Sequence, residues 1–307
     1  MTMTRWLGRF CARLPALLVL LAMTACSSAP EVRCDPLILE ATSPAGRTVT
    51  LTWIPGYVRS DRRYRLPPML SESLEQSGRV HLPPSFAALP DDEKVRLAEQ
   101  YAALVPGYQV EKNLDEKNRK GLEAYRAARP DFVDPSRLHI WLLTIAIASH
   151  ELERAGYEAE PLVTRLREQA AGGTREVGPV ITVAELFEAL GSSSLTVDNA
   201  LLAAVFRDLP KLVGDYQALL EVWRTGSRSA LTARVLEASS SQPGIADAVE
   251  ARWATLSSLA VDRIVRAAER HERQLALVYP RMLLGTYAVP AQLEQRGWTV
   301  ERIVGRD

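Results

Sequence analysis

The chain has 307 residues, 47% hydrophobic and 24% charged. That composition excludes a disordered, fibrous or collagen-like protein and leaves one large domain or two small ones. Basic and acidic side chains both number 37, but the first 25 residues hold three arginines and no acid, so 34 basic face 37 acidic in the remainder. This balance gives no electrostatic case for a nucleic-acid partner or an anionic membrane surface.

Arg5, Arg9 and Arg13 precede an apolar run over residues 14–23. The run is too short to span a bilayer as a helix and suits the core of a signal peptide. Met23-Thr24-Ala25-Cys26 follows and resembles a bacterial lipobox. The resemblance implies cleavage before Cys26 and diacylglycerol on its sulfur, with further acylation giving stable anchoring. Ser27, where an inner-membrane sorting signal has Asp, implies an outer-membrane lipoprotein facing the periplasm. Residues 1–25 are then signal peptide, 26–35 anchor and tether, and 36–307 a single domain. Of the three cysteines only Cys34 remains as a free thiol, too few for a disulfide framework.

Residues 36–45 show no sustained period. Residues 47–54 alternate Thr with Val, Leu and Trp, a β-strand pattern that ends at Pro55-Gly56. A short helix is expected over 71–76 and a short strand over 79–82, containing His81. Pro90-Asp91-Asp92-Glu93 starts a helix, with Leu97, Tyr101 and Leu104 on one face. A polar surface helix is expected over 111–128. Pro135-Ser136 opens the most strongly patterned helix, with Leu138, Trp141, Leu142, Ile145 and Leu152 in one stripe. His139 and His150 share a face of it, roughly 16 Å apart at ~1.5 Å per residue, too far to hold one ion. His150-Glu151 begins an H-E-x-x-H pattern that fails, because position 154 is Arg.

A helix over 161–171 and a strand over 177–181 come next, and Thr182-Val183-Ala184-Glu185 reads as a capping box. Helices are expected over 196–222, broken at Pro210, over 227–236, and over 244–270. The chain closes with a strand near 275–279, a loop ending at Gly285, a helix carrying Leu293-Glu294, and a last strand from Trp298. Ser192-Ser193-Ser194 and Ser239-Ser240-Ser241 read as polar loop stretches. No G-x-S-x-G elbow, C-x-x-C pair, Walker loop or G-x-G-x-x-G is present.

The order of these elements, the W-x-x-G step at Trp223 and Gly226, and the closing frame of Gly285 and Gly297 resemble the TraB/GumN family from about residue 36 to 304. The resemblance implies a helix-rich α/β fold: a central mixed sheet fed by strands near 47–54, 79–82, 177–181, 275–279 and 298–304, with a large multi-helix insert. Alternation of strands with multi-helix connections points to α/β independently. Some family members are thought to be metal-dependent peptidases, which need three ligands, an open position for water and a general base. Aligned on the motifs, the first family histidine falls on Arg59, the last on Met282, and the family glutamate on Ala184. Arg offers no lone pair, and Met is a soft ligand ill-suited to zinc hydrolysis.

His81 and Glu185 are the substitutes within reach, and Arg252 stands where the family has its Arg-Asn pair. His81 nevertheless reads more readily as a packed or exposed strand residue and Glu185 as a helix cap, while Arg252 reads equally as a surface ion-pair partner. The sequence thus leads to a lipid-anchored, non-catalytic TraB/GumN-like protein without a cofactor, with Arg59 and Met282 bordering a cleft for a peptide or envelope protein. The alternative is a divergent metal-dependent peptidase using a divalent ion.

Overall fold

The computed structural model describes residues 31–102, 109–236 and 243–304. Its strands are β1 (Glu31–Arg33), β2 (Ile38–Thr42), β3 (Thr48–Trp53), β4 (Tyr57–Arg59), β5 (Arg63–Arg65), β6 (Arg79–Leu82), β7 (Tyr157–Ala159), β8 (Glu176–Pro179), β9 (Arg273–Val278) and β10 (Thr299–Val304). Six of them make one mixed sheet in the order β10-β2-β3-β9-β6-β8. β3, β9, β6 and β8 run parallel, and β2 is antiparallel to both of its neighbours. The α/β fold with a mixed sheet is therefore the observed one. Two small sheets, β1 with β5 and β4 with β7, stand apart from it.

β2 is the strand of the main sheet that sequence periodicity passes over. Its pattern of mostly buried residues explains why: Ile38, Leu39 and Ala41 are all buried. A strand covered on both faces loses the period-two signature. β3 and β9 are buried in the same way, and their register pairs Thr48 with Arg273 and Trp53 with Val278.

Around the sheet lie α1 (Pro68–Gln76), α6 (Pro161–Ala171), α7 (Val183–Gly191), α9 (Leu212–Thr225), α10 (Arg228–Val235), α11 (Pro243–Ala268) and α12 (Val289–Gln295). With the strands they enclose the larger apolar core, which includes Trp53, Trp223, Leu256, Ile264, Leu277 and Met282. The W-x-x-G step has a plain physical role. The fully buried Trp223 donates from Nε1 to the Trp53 carbonyl at 3.0 Å, and its ring meets the Trp53 ring edge-on at 6.5 Å. The closing frame is likewise conformational: Gly285 (φ +91°) and Gly297 (φ +82°) adopt left-handed backbone that side chains disfavour.

A second core forms where α3 (Val110–Asn113), α4 (Glu116–Ala128), α5 (Ile140–Arg154) and α8 (Leu195–Asp208) meet. The helix expected over 111–128 is in fact two, because Asp115 caps a new helix by accepting from the Asn118 backbone N–H at 2.8 Å. α5 starts at Ile140, later than Pro135-Ser136, and α2 (Asp91–Leu97) continues as one π-helical turn to Ala102. Leu104 and Cys26 lie outside the described residues. Among the described residues no single helix is long and apolar enough to cross a membrane.

Candidate functional site

In open α/β sheets ligands bind beyond the carboxyl ends of the parallel strands. Here β3 leads to Gly56, β6 to Ser85, β8 to Thr182 and β9 to Tyr279, so these loops gather on one edge. Above that edge the N-terminal half of α11 separates two cavities. One, of about 250 Å³, lies toward Gly285, Arg281 and Trp253. The other, of about 770 Å³, is lined by Glu185, Glu188, Ser192, Ser193, Ser194 and Arg252 among others.

Two of the sequence candidates therefore share the larger cavity. Arg252 projects from α11, and its side chain is only 9% exposed. Among the described residues its one hydrogen bond runs to Asp198 Oδ1 on α8, at a long 3.4 Å. That uses one of five N–H donors. Burial raises the Asp198 carboxyl above its ordinary value, opposed by the Ser193 hydroxyl and the Arg252 charge. The triple serine turn thus meets a buried cation and the N-terminus of α8, which Ser194 caps. A serine run read as loop carries no sign in the sequence that it lines a cavity.

Glu185 has both oxygens committed. Oε2 accepts from the Thr182 backbone N–H at 2.7 Å and from the Thr182 hydroxyl at 2.9 Å, and Oε1 accepts from Arg263 at 2.6 Å. The capping box is complete, since the Thr182 hydroxyl also accepts from the Glu185 N–H. Burial alone would raise this carboxyl; the Arg263 and Thr182 hydrogen bonds outweigh it and hold it below the ordinary range. Ala184 directly precedes Glu185 in the first turn of α7, and its side chain carries no donor atom.

The remaining candidates stand elsewhere. Arg59, on β4, makes a two-pronged pair with Asp61 at 2.8 and 2.7 Å and lines a separate cavity of about 350 Å³. Met282 is wholly buried in the 3₁₀ turn after β9 and borders none of these cavities. The expected cleft between Arg59 and Met282 is thus not where the open space lies.

His81 is 1% exposed on β6, with Nε2 2.8 Å from Gln274 Oε1. Gln274 donates its amide N–H to the Ile264 carbonyl, so its oxygen faces His81 and Nε2 carries the proton. Burial pushes the imidazole down to about 4, and its Nδ1 has no partner. His139 occupies the N-cap position of α5 without a side-chain capping bond, whereas His150 contacts the Tyr125 hydroxyl at 2.8 Å and Asp131 at 3.3 Å. These two histidines serve different surroundings.

The donor set does not fit a hydrolytic metal at the family positions. Arg59 and Ala184 bring no lone pair, Met282 is enclosed, and the Glu185 oxygens already accept three hydrogen bonds. Among the described residues no three His, Cys, Asp or Glu side chains gather as a metal cluster.

Sequence reasoning missed Glu160. It holds a left-handed backbone (φ 58°) at the start of α6, costing about 1–3 kcal/mol for a non-glycine residue. Its N–H donates to the Gly56 carbonyl at 2.6 Å, and its carboxylate accepts from Ser85 at 2.5 Å. It ties the loops after β3 and β6 together at the carboxyl edge. The only trace in the sequence is its place before Pro161, which bars ordinary helical geometry.

A parallel-centred α/β sheet, a multi-helix insert and a largely apolar cavity with a few polar groups at the carboxyl edge define the class: an α/β protein of the kind that holds ligands beyond its strand ends. A family model described as the TraB/PrgY/gumN family matches residues 58–302. The chain belongs to that family. No curated protein and no solved structure matches it.

Proposed function

We propose that the protein is a lipid-anchored envelope member of its family that binds a ligand at the carboxyl-edge cavity and does not hydrolyse it. The observation that carries this reading is the pairing of Glu185 and Arg252 in one cavity. There the acid accepts three hydrogen bonds from Thr182 and Arg263, while the cation keeps most of its donors. A carboxylate so engaged would have to give up these partners to bind a metal or take a proton; a buried guanidinium beside serine hydroxyls suits a carboxylate-bearing ligand such as a peptide or an envelope protein segment. The lipobox at Cys26 and the following Ser27 support an outer-membrane anchor facing the periplasm.

The test is metal content by mass spectrometry on the chain starting at Ser27, purified without chelators and challenged with Zn²⁺, Mn²⁺ and Co²⁺. We expect no stoichiometric metal. Stoichiometric metal that disappears in His81→Ala or Glu185→Ala would establish the divergent metallopeptidase instead. Labelling of the full-length protein with a fatty-acid analogue, abolished in Cys26→Ala, checks the anchor.

A further inference from the structure

The parallel pairing of β1 with β5 sets Glu31 opposite Arg63, Val32 opposite Tyr64 and Arg33 opposite Arg65. Alternate residues of a strand face opposite ways. Tyr64 is buried and Val32 half-buried, so Glu31, Arg33, Arg63 and Arg65 all share the outer face, and all four are exposed. Arg62, Arg59 and Arg224 line a cavity on the other side, with Val32 and Tyr64. The outer face thus sets three guanidinium groups, of Arg33, Arg63 and Arg65, against the carboxylate of Glu31 at 3.6 Å from Arg65, with exposed Asp35 two residues beyond Arg33. Arg33 and Arg63 make no ion pair among the described residues. The whole-chain balance conceals this patch.

The patch also has a defined place on the chain. β1 begins five residues after Cys26, and five extended residues reach at most about 18 Å. We infer that this arginine face is an electrostatic footing on anionic phospholipid, holding the domain with β1 and β5 against the membrane. Its orientation rests on the lipid-anchor reading; its lipid affinity does not. Juxtamembrane basic groups gain free energy near an anionic surface, each within about a Debye length.

The chain starting at Ser27, without lipid, is mixed at low ionic strength with vesicles of phosphatidylcholine and phosphatidylglycerol in equal parts, or of phosphatidylcholine alone. Sedimentation should show binding to the anionic vesicles only, released by added salt. The triple variant Arg33→Glu, Arg63→Glu, Arg65→Glu should lower the partition coefficient by on the order of 100-fold. Arg266→Glu with Arg270→Glu, in a second basic groove, should leave it unchanged. Should charge reversal unfold the domain, the Gln versions of the three positions serve, with a smaller loss expected. Equal binding to neutral vesicles, no binding to either, or equal loss in the control pair would overturn the footing. A chain that binds anionic vesicles but is not acylated at Cys26 in cells would refute the anchor and leave the patch standing.

Discussion

The two apolar cores of this molecule are built on different terms. Around the sheet the packing is mostly apolar: β3 and β9 are buried almost throughout, the tryptophan pair joins α9 to the end of β3, and the His81–Gln274 pair is a buried polar exception. In the helical insert the inner contacts are as much polar as apolar. Asn199 Oδ1 accepts from the Asp115 N–H and from Asn118, and its amide donates to the Asn113 and Leu195 carbonyls. Nearby, Tyr125 donates to Glu151, which Arg129 also holds. A core of the first kind gains from area alone, whereas the second holds only while every partner is present. The larger cavity lies on the seam, where Asp198 of the insert meets Arg252 of α11.

The most damaging break in the comparison should be Trp223→Ala, which empties the centre of the sheet core and deletes a buried hydrogen bond. A loss of about 3–5 kcal/mol is expected in denaturant unfolding, with both cores melting together. At the seam, Arg252→Met leaves Asp198 buried without its cation and should cost about 3 kcal/mol. Adding Asp198→Asn should recover much of that, which a double-mutant cycle measures. The sign in pH follows from the raised Asp198 carboxyl. The native state holds that proton more tightly than the unfolded chain, so the single variant should gain stability as pH falls through the carboxylate range.

His81 tests the sheet core by pH. Its folded value of about 4 lies below the ordinary 6.5, so the unfolded chain binds the proton more tightly. Its contribution is complete above pH 6.5 and falls by about 3 kcal/mol as pH drops to about 4. Unfolding at both pH values in the protein and in His81→Asn should show the steeper loss with the histidine present. Asn199→Ala should cost about 2 kcal/mol and act locally. Hydrogen exchange should quicken in α4, α5 and α8 while β3 and β9 stay protected. Asp61→Ala, which frees Arg59 at the surface, should not change Tm measurably, since exposed ion pairs contribute little.

Most of the sheet is legible in the sequence because its strands are marked by their flanks: Pro55-Gly56 after β3, Gly172-Gly173 before β8, Trp298 before β10. β2 is not, since burial on both faces erases its period, and the small sheets are not, since three-residue strands carry none. The capping box at Thr182 and Glu185 is readable from four adjacent residues. The cavity is not, because Arg252 reaches Asp198 and the serine turn only through packing between α7, α8 and α11. Arg59 and Met282 mark family positions in sequence, yet the larger cavity lies beside neither: Arg59 lines a separate one and Met282 is enclosed. The strained Glu160 is invisible for the same reason: the carbonyl it answers to is Gly56, far away in the chain.

The pairing of β3 with β9 governs how the protein comes into being. Thr48 meets Arg273, so the centre of the sheet cannot close until nearly the whole polypeptide has been made. Contacts so distant in the chain make for slow folding. For a chain read as exported, that delay is an advantage, because a sheet that cannot close early leaves the polypeptide threadable. Once made, β9 covers the parallel edge of β3 and ends the danger. A chain cut short before β9 would present the parallel edge of β3 to its neighbours, an invitation to aggregate.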